Sequence, residues 1–216
     1  MSAVRNRAAQ FFDDYAGDFD AIYGNRNAGF NRIVNRLFRK AMRLRYEKTL
    51  EGCRPIEGRS VLDIGCGPGH YGIALARAGA ARVLGIDFAP GMVRLAEGHA
   101  REAGVGHVCR FVEADFLAYP LERAYDYSVA MGFMDYVADP ERVVSKALSV
   151  TRSRAFFSFP KDGGVLAWQR KLRYRNRCEL YMYSRDRIEK LLGRLAPGRY
   201  TIESADRDFF VTVSCA

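Results

Sequence analysis

Residues 61–69 read Val61-Leu62-Asp63-Ile64-Gly65-Cys66-Gly67-Pro68-Gly69, a short apolar run with an acid near its end that then breaks into alternating glycines. A run of this length bounded by glycine predicts a buried strand. Gly65, Gly67 and Gly69 can take backbone conformations closed to other residues and leave bare amides for a bulky ligand. His70 to Arg77 follows, with Ile73, Leu75 and Ala76 apolar, and predicts a helix on the sheet with its amino end aimed at the ligand. Strand, glycine turn and helix begin a nucleotide-binding unit.

The kind of nucleotide follows from what the turn lacks. A phosphate loop needs Gly-Lys followed by Ser or Thr, which is absent here. The dinucleotide fingerprint is G-x-G-x-x-G, whereas these glycines alternate and Asp63 stands two residues before the first. A carboxylate there repels a pyrophosphate, but it can accept hydrogen bonds from the turn's amides or orient a ligand ammonium. The run resembles motif I of the class I S-adenosylmethionine-dependent methyltransferases. That resemblance implies a cofactor carrying an ammonium, a carboxylate and a sulfonium but no phosphate, with S-adenosylhomocysteine as its product. It makes Asp63, Gly65, Cys66 and Gly67 cofactor contacts.

Later segments agree. Arg82 to Ile86 predicts a second strand ending in Asp87, 24 residues after Asp63, where an acid pairing with two ribose hydroxyls is expected. Phe88 offers a face to adenine, and Met92, in a helix opened by Pro90, is expected near the base. A third strand, Cys109 to Val112, runs into Asp115 and Phe116, which the resemblance places on the adenine amino group and beside it. Each of these residues read alone is as well explained by a helix cap, a turn or a core aromatic; together they describe one pocket.

A fourth strand, Tyr125 to Ala130, delivers Met131, Phe133, Asp135 and Tyr136 to the cofactor's reactive end, because open α/β sheets bind ligands beyond strand carboxyl ends. Met131 is the expected cofactor contact, Phe133 a substrate contact, and Asp135 and Tyr136 the candidate base and substrate hydrogen bond. Capping of the Asp139-Pro140 helix is the competing role for this stretch. The Asn/Asp-Pro-Pro-aromatic run expected of an amino methyltransferase is absent, which lowers nucleic-acid bases as substrates.

Phe11 to Tyr23 is rich in aromatics and acids and resembles the lid of small-molecule methyltransferases, with Tyr15 toward the cofactor and Tyr23 toward the substrate. Beyond a fifth strand, Ala155 to Phe159, the stretch Pro160 to Tyr183 is long enough to expect a function. It reads as a substrate cover, with Trp168 and Arg173 as contacts and Tyr174, Tyr181 and Tyr183 as stacking surface. Ser184 to Leu195 predicts a helix capped by Ser184, and Tyr200 to Ala205 with Phe209 to Val213 a closing hairpin. The expectation is one domain with a Rossmann-like α/β fold: a seven-stranded, mostly parallel sheet, its last strand antiparallel by the resemblance, with helices on both faces. Residues 1–50 form a helical lid, 51–159 the cofactor-binding core, 160–183 the cover and 184–216 the terminal helix and hairpin.

The chain has 216 residues, 49% of them hydrophobic, and a net charge of +9, enough for a full core without disulfides or metals. Its five cysteines and three histidines lack metal-ligand spacing, so no metal is expected. The absence of a signal-peptide pattern or an apolar run near ~20 residues gives a cytoplasmic expectation. The charge is concentrated. Residues 31–48 hold seven Lys or Arg against Glu47, and 170–177 hold five with no acid; outside these stretches 22 basic residues face 24 acidic ones. The basic segments serve either an anionic partner or a solvated helix face, since Ile33, Leu37, Met42 and Leu44 recur at roughly helical spacing.

The lid, motif I, the Val-Ala-Met strand end and the following tyrosine are most similar to the magnesium-protoporphyrin O-methyltransferase branch, except that Asp135 stands where a histidine is expected. The function read from the sequence is in-line methyl transfer, O-methylation, to a small anionic or phenolic molecule. The alternatives are an RNA-directed methyltransferase using the basic segments and a non-catalytic cofactor-binding partner.

Overall fold

The computed structural model describes residues 31–121, 123–163 and 179–215, with side chains from Met42 onward. Tyr15, Tyr23, Trp168 and Arg173 lie outside the described residues, as do Tyr174 and the arginines of the second basic stretch.

A long helix, α1 (Asn31–Gly52), precedes the sheet. Then come β1 (Ser60–Ile64), α2 (His70–Arg77), β2 (Arg82–Asp87), α3 (Pro90–Glu102), β3 (Cys109–Glu113) and β4 (Tyr125–Ala130). A 3-10 turn at Met134–Tyr136 leads to α4 (Pro140–Ser149), β5 (Thr151–Pro160), α5 (Arg185–Leu195), β6 (Tyr200–Ala205) and β7 (Asp208–Ser214). The seven strands form one sheet in the order β3-β2-β1-β4-β5-β7-β6. The first five are parallel, and β7 runs antiparallel between β5 and β6.

Helices cover both faces because the central strands are apolar on both. Every residue of β1 is buried, and alternation sends Leu62 and Ile64 to one face and Val61 to the other. The first face packs Val143, Val144 and Ala147 of α4 with Ile188, Leu191 and Leu192 of α5. The second packs Leu75 and Ala76 of α2, and next to them Ala96 and Ala100 of α3. Helix starts follow local chemistry. Pro90 opens α3, Asp139 caps α4 by accepting from Arg142 N at 3.2 Å, and Ser184 caps α5 by accepting from Arg187 N at 3.2 Å.

Two readings of the sequence need correction. Tyr183 does not offer a stacking surface. It is fully buried, edge-on to Phe159 at 4.9 Å, with its hydroxyl 3.3 Å from the carbonyls of Met134 and Val137. Its amide donates to Pro160 O at 2.8 Å and its backbone bridges Lys161, so the described ends of the 160–183 stretch are joined. The basic face of α1 is also less free than its composition indicates. Arg45 is only 8% exposed, its guanidinium 3.1 Å from the buried Asp208 carboxylate and 3.3 Å from Ser158 Oγ. Lys48 pairs with Glu203 and Arg43 with Glu47. Each basic residue of this stretch whose side chain is described is thus engaged by an acid.

Candidate active site

Strand order reverses between β1 and β4, and in such sheets the ligand crevice opens outside the carboxyl ends at that point. A cavity of about 620 Å³ lies there, bounded by the ends of β1, β2 and β3, the turn after β4 and the start of α4.

The glycine turn is shaped by its neighbours. Gly65 and Gly69 have φ of +65° and +82°, a region that side chains disfavour. At Gly65 a Cβ would collide with the Phe133 ring, so Phe133 lies against bare backbone at the cavity wall. Asp87, 9% exposed, ties the turn to the next helix. One of its oxygens accepts from Gly67 N at 2.8 Å and the other from Ala89 N at 2.9 Å. Burial raises its pKa, opposed by the amides of Ala89, Gly67 and Phe88. Asp115 turns the chain after β3 by accepting from Leu117 N at 3.1 Å.

Gly65, Asp87, Phe88, Asp115, Phe116, Phe133 and Tyr136 all line the cavity. Other expected contacts are placed elsewhere. Cys66 is buried and packs with Phe111 and Ala96, and its thiol is pushed well up by burial. Met92 is buried with Ala89 beneath Phe88 and Leu95. Met131 joins the core on the side of Val129 and Phe156. Gly67 meets the site through its hydrogen bond to Asp87. Asp135 is 2% exposed and not among the side chains lining the cavity; its carbonyl accepts from Tyr181 N at 2.8 Å, which fixes Tyr181 at the cavity wall.

Asp63 also faces away from the cavity, toward the amino end of α2, where Gly72 N donates to it at 3.0 Å. Burial, first of all, pushes its carboxyl up to about 7, with Gly72 opposing and Asp87 reinforcing. The folded protein therefore holds a proton that the unfolded chain releases near the ordinary aspartate value. Stability from this group is full below about pH 4 and is lost as pH rises toward about 7, a swing of roughly a few kcal/mol. In Asp63→Asn, which keeps the acceptor for Gly72, that loss should disappear. Urea midpoints of the two proteins compared from pH 4 to 8 test this; a gap independent of pH contradicts it.

One organiser escaped the sequence reading. Lys146 of α4 donates to the carbonyls of Phe116, Leu117 and Tyr119 at 2.7, 3.1 and 2.7 Å and stands over the Phe116 ring at 5.1 Å. Burial lowers its pKa, opposed by Asp115. It holds the loop that walls the cavity beyond β3. Its only sequence signal is a lysine beside Val143, Val144 and Ala147 on a helix whose opposite side is exposed. Lys146→Met leaves three carbonyls without their donor and is expected to weaken S-adenosylhomocysteine binding about tenfold. Calorimetry reads this, and unchanged affinity contradicts the loop's role.

A family described as a methyltransferase domain matches residues 61–154, the span from β1 into β5. Residues 61–154 are thus similar to a methyltransferase domain. The ubiquinone biosynthesis O-methyltransferase of Paracidovorax citrulli (strain AAC00-1) is 35% identical over 111 residues, covering 51% of this chain and 46% of that protein. The protein of the same name from Methylobacterium sp. (strain 4-46) is 40% identical over 106 residues, covering 49% and 42%. The chain thus spans less than half the length of these relatives. The magnesium protoporphyrin IX methyltransferase of Synechocystis PCC 6803, solved with bound S-adenosylhomocysteine, superposes with a TM-score of 0.79 at 22% identity over 97% of this chain and 99% of that one. A cyclase superposes with a TM-score of 0.69 at 15% identity over 96% and 93%, so the fold alone does not determine the chemistry.

S-adenosylmethionine, the cofactor of such a domain, fits the charge of the cavity. Among the described residues, Asp87, Asp115, Asp139 and Glu179 line it against Arg142, which disfavours a pyrophosphate and favours a cation. Among the described residues no group of three or more His, Cys, Asp or Glu could hold a metal, and no helix is long and apolar enough to cross a membrane.

Proposed function

We propose that the protein is an S-adenosylmethionine-dependent O-methyltransferase acting on a small aromatic hydroxyl compound, the phenolic arm of the substrate class read from the sequence. The acid-rich cavity carries this reading: its carboxylates suit a sulfonium, and its aromatic end, formed by Phe133, Tyr136 and Tyr181, suits a flat acceptor. The cofactor supplies a methyl group already activated for displacement. The protein's share is to position the acceptor oxygen and keep water away.

Asp87 binds the ribose hydroxyls, Asp115 the adenine amino group, and Phe88 and Phe116 flank the base. Tyr136 hydrogen-bonds the acceptor oxygen, with Asp135 behind it as a positioning residue. Arg142, at the rim, is the described cation available to a substrate carboxylate. Tyr15, Tyr23, Trp168 and Arg173 are assigned to the cover over the site. The O-methyltransferase names of the relatives support oxygen as acceptor.

Methyl transfer from labelled cofactor to a panel of catechols and phenolic acids, beside RNA, tests the reading. Transfer to the aromatic hydroxyls is expected, with kcat at least tenfold lower in Tyr136→Phe. Transfer to RNA alone, with affinity falling steeply in salt, would establish the nucleic-acid alternative. Tight cofactor binding without turnover on any substrate would establish the non-catalytic one.

A further inference from the structure

A second groove, of about 320 Å³, lies at the opposite end of the sheet and has no part in the methyl-transfer reading. Arg82, Val83 and Leu84 of β2, Arg110 of β3, Tyr125 of β4 and the loop residues Tyr119, Pro120, Leu121 and Arg123 line it. The placement follows from alternation. Arg82 and Leu84 share the sheet face that α4 and α5 cover further along, over β4 and β5, and there Leu84 and Tyr125 join the core. Over the amino ends of β2 and β3, the face is bounded instead by Tyr119, Pro120, Leu121 and Arg123.

Three guanidiniums therefore face one small space, and among the described residues no acid lines it. Elsewhere Arg43, Arg45, Lys48, Arg59, Arg185 and Arg194 have carboxylate partners. Arg82 instead stacks over the Tyr125 ring at 5.2 Å, and its Nε is buried with no acceptor. A buried donor without a partner is costly unless a ligand supplies the acceptor. Burial pushes the Tyr125 phenol up, while Arg82, Arg123 and Arg110 pull it down, so all three cations act on one oxygen.

We propose that this groove binds the phosphate groups of a small molecule. Arginine forks match phosphate oxygens two at a time, and the Nε of Arg82 is a donor already desolvated. The volume suits a diphosphate-sized group with Tyr119 and Tyr125 along its side, and is too small for a nucleic-acid strand to lie within it. The loop that walls the groove continues from the segment Asp115 to Ala118 that walls the active-site cavity.

Inorganic pyrophosphate is the probe, titrated calorimetrically into the full chain without cofactor. Saturable binding is expected, weakening as salt rises, and at least tenfold weaker in the Arg110→Gln/Arg123→Gln double variant. Both residues are exposed, so the variant's thermal melt should match the parent's; if it does not, Arg123→Gln alone should still weaken binding at least threefold. Absent binding, or equal binding by parent and variants, overturns the proposal; equal binding would place the anion elsewhere. Loss of affinity for an RNA oligonucleotide without loss for pyrophosphate also overturns it and makes the arginines a nucleic-acid contact.

Discussion

Asp87→Ala is expected to weaken S-adenosylhomocysteine binding by roughly a hundredfold or more while the domain stays folded. Hydrogen bonds to a charged acceptor contribute about 1.5–3 kcal/mol each, and the proposed pair to the ribose hydroxyls therefore amounts to two to four powers of ten in affinity. The substitution also frees the amides of Gly67 and Ala89, loosening the turn that must meet the ligand. Asp87→Asn keeps two acceptor lone pairs and should lose less. Because burial raises the Asp87 pKa, cofactor affinity should fall on acidification earlier than for an ordinary carboxylate, as protonation removes an acceptor. Calorimetry at neutral and acid pH reads both effects. Wild-type affinity in Asp87→Ala would remove this residue from the site.

The largest stability effect is expected at Asp208→Asn. Its carboxylate lies 3.1 Å from Arg45 Nη1, both side chains being nearly inaccessible, and Ser158 Oγ, beside Arg45, accepts from Gly132 N at 2.7 Å. This cluster fastens α1 to β5, β7 and the turn after β4. Removing one partner strands a buried charge, at a cost of about 3–5 kcal/mol, which for a chain of this size lowers Tm by roughly 10 °C. Arg45→Met/Asp208→Leu removes both charges and should recover most of that loss, since a buried pair is often replaceable by apolar packing. A Tm within 1 or 2 °C of the parent in Asp208→Asn would show, on the same scale, that the pair carries little of the fold.

Sequence legibility followed the periodicity of each element. Tyr125–Ala130 and Tyr200–Ala205 form strands with the bounds expected of them, because apolar or alternating runs there end at turn residues. The start of β5 was hidden. Thr151 to Arg154 reads as polar, yet it belongs to the strand because β4 and β7 pair with it on either side, a tertiary contact that local propensity does not encode. Asp87, Asp115, Phe88 and Phe116 could be placed at the cavity because strand ends are visible in the chain. Met92, Met131 and Asp135 were read as facing it from their distance to those ends, but distance along the chain does not say which way a side chain turns. Arg45 counted as part of a basic surface until Asp208, 163 residues away, came to lie beside it.

A crystal of the protein soaked with S-adenosylhomocysteine tests the central claim most directly. The compound should lie in the cavity at the strand ends, its ribose on Asp87, its base between Asp115 and Phe116, and its sulfur toward Phe133 and Tyr136. An empty cavity, or density for the compound at any other place, would contradict the account.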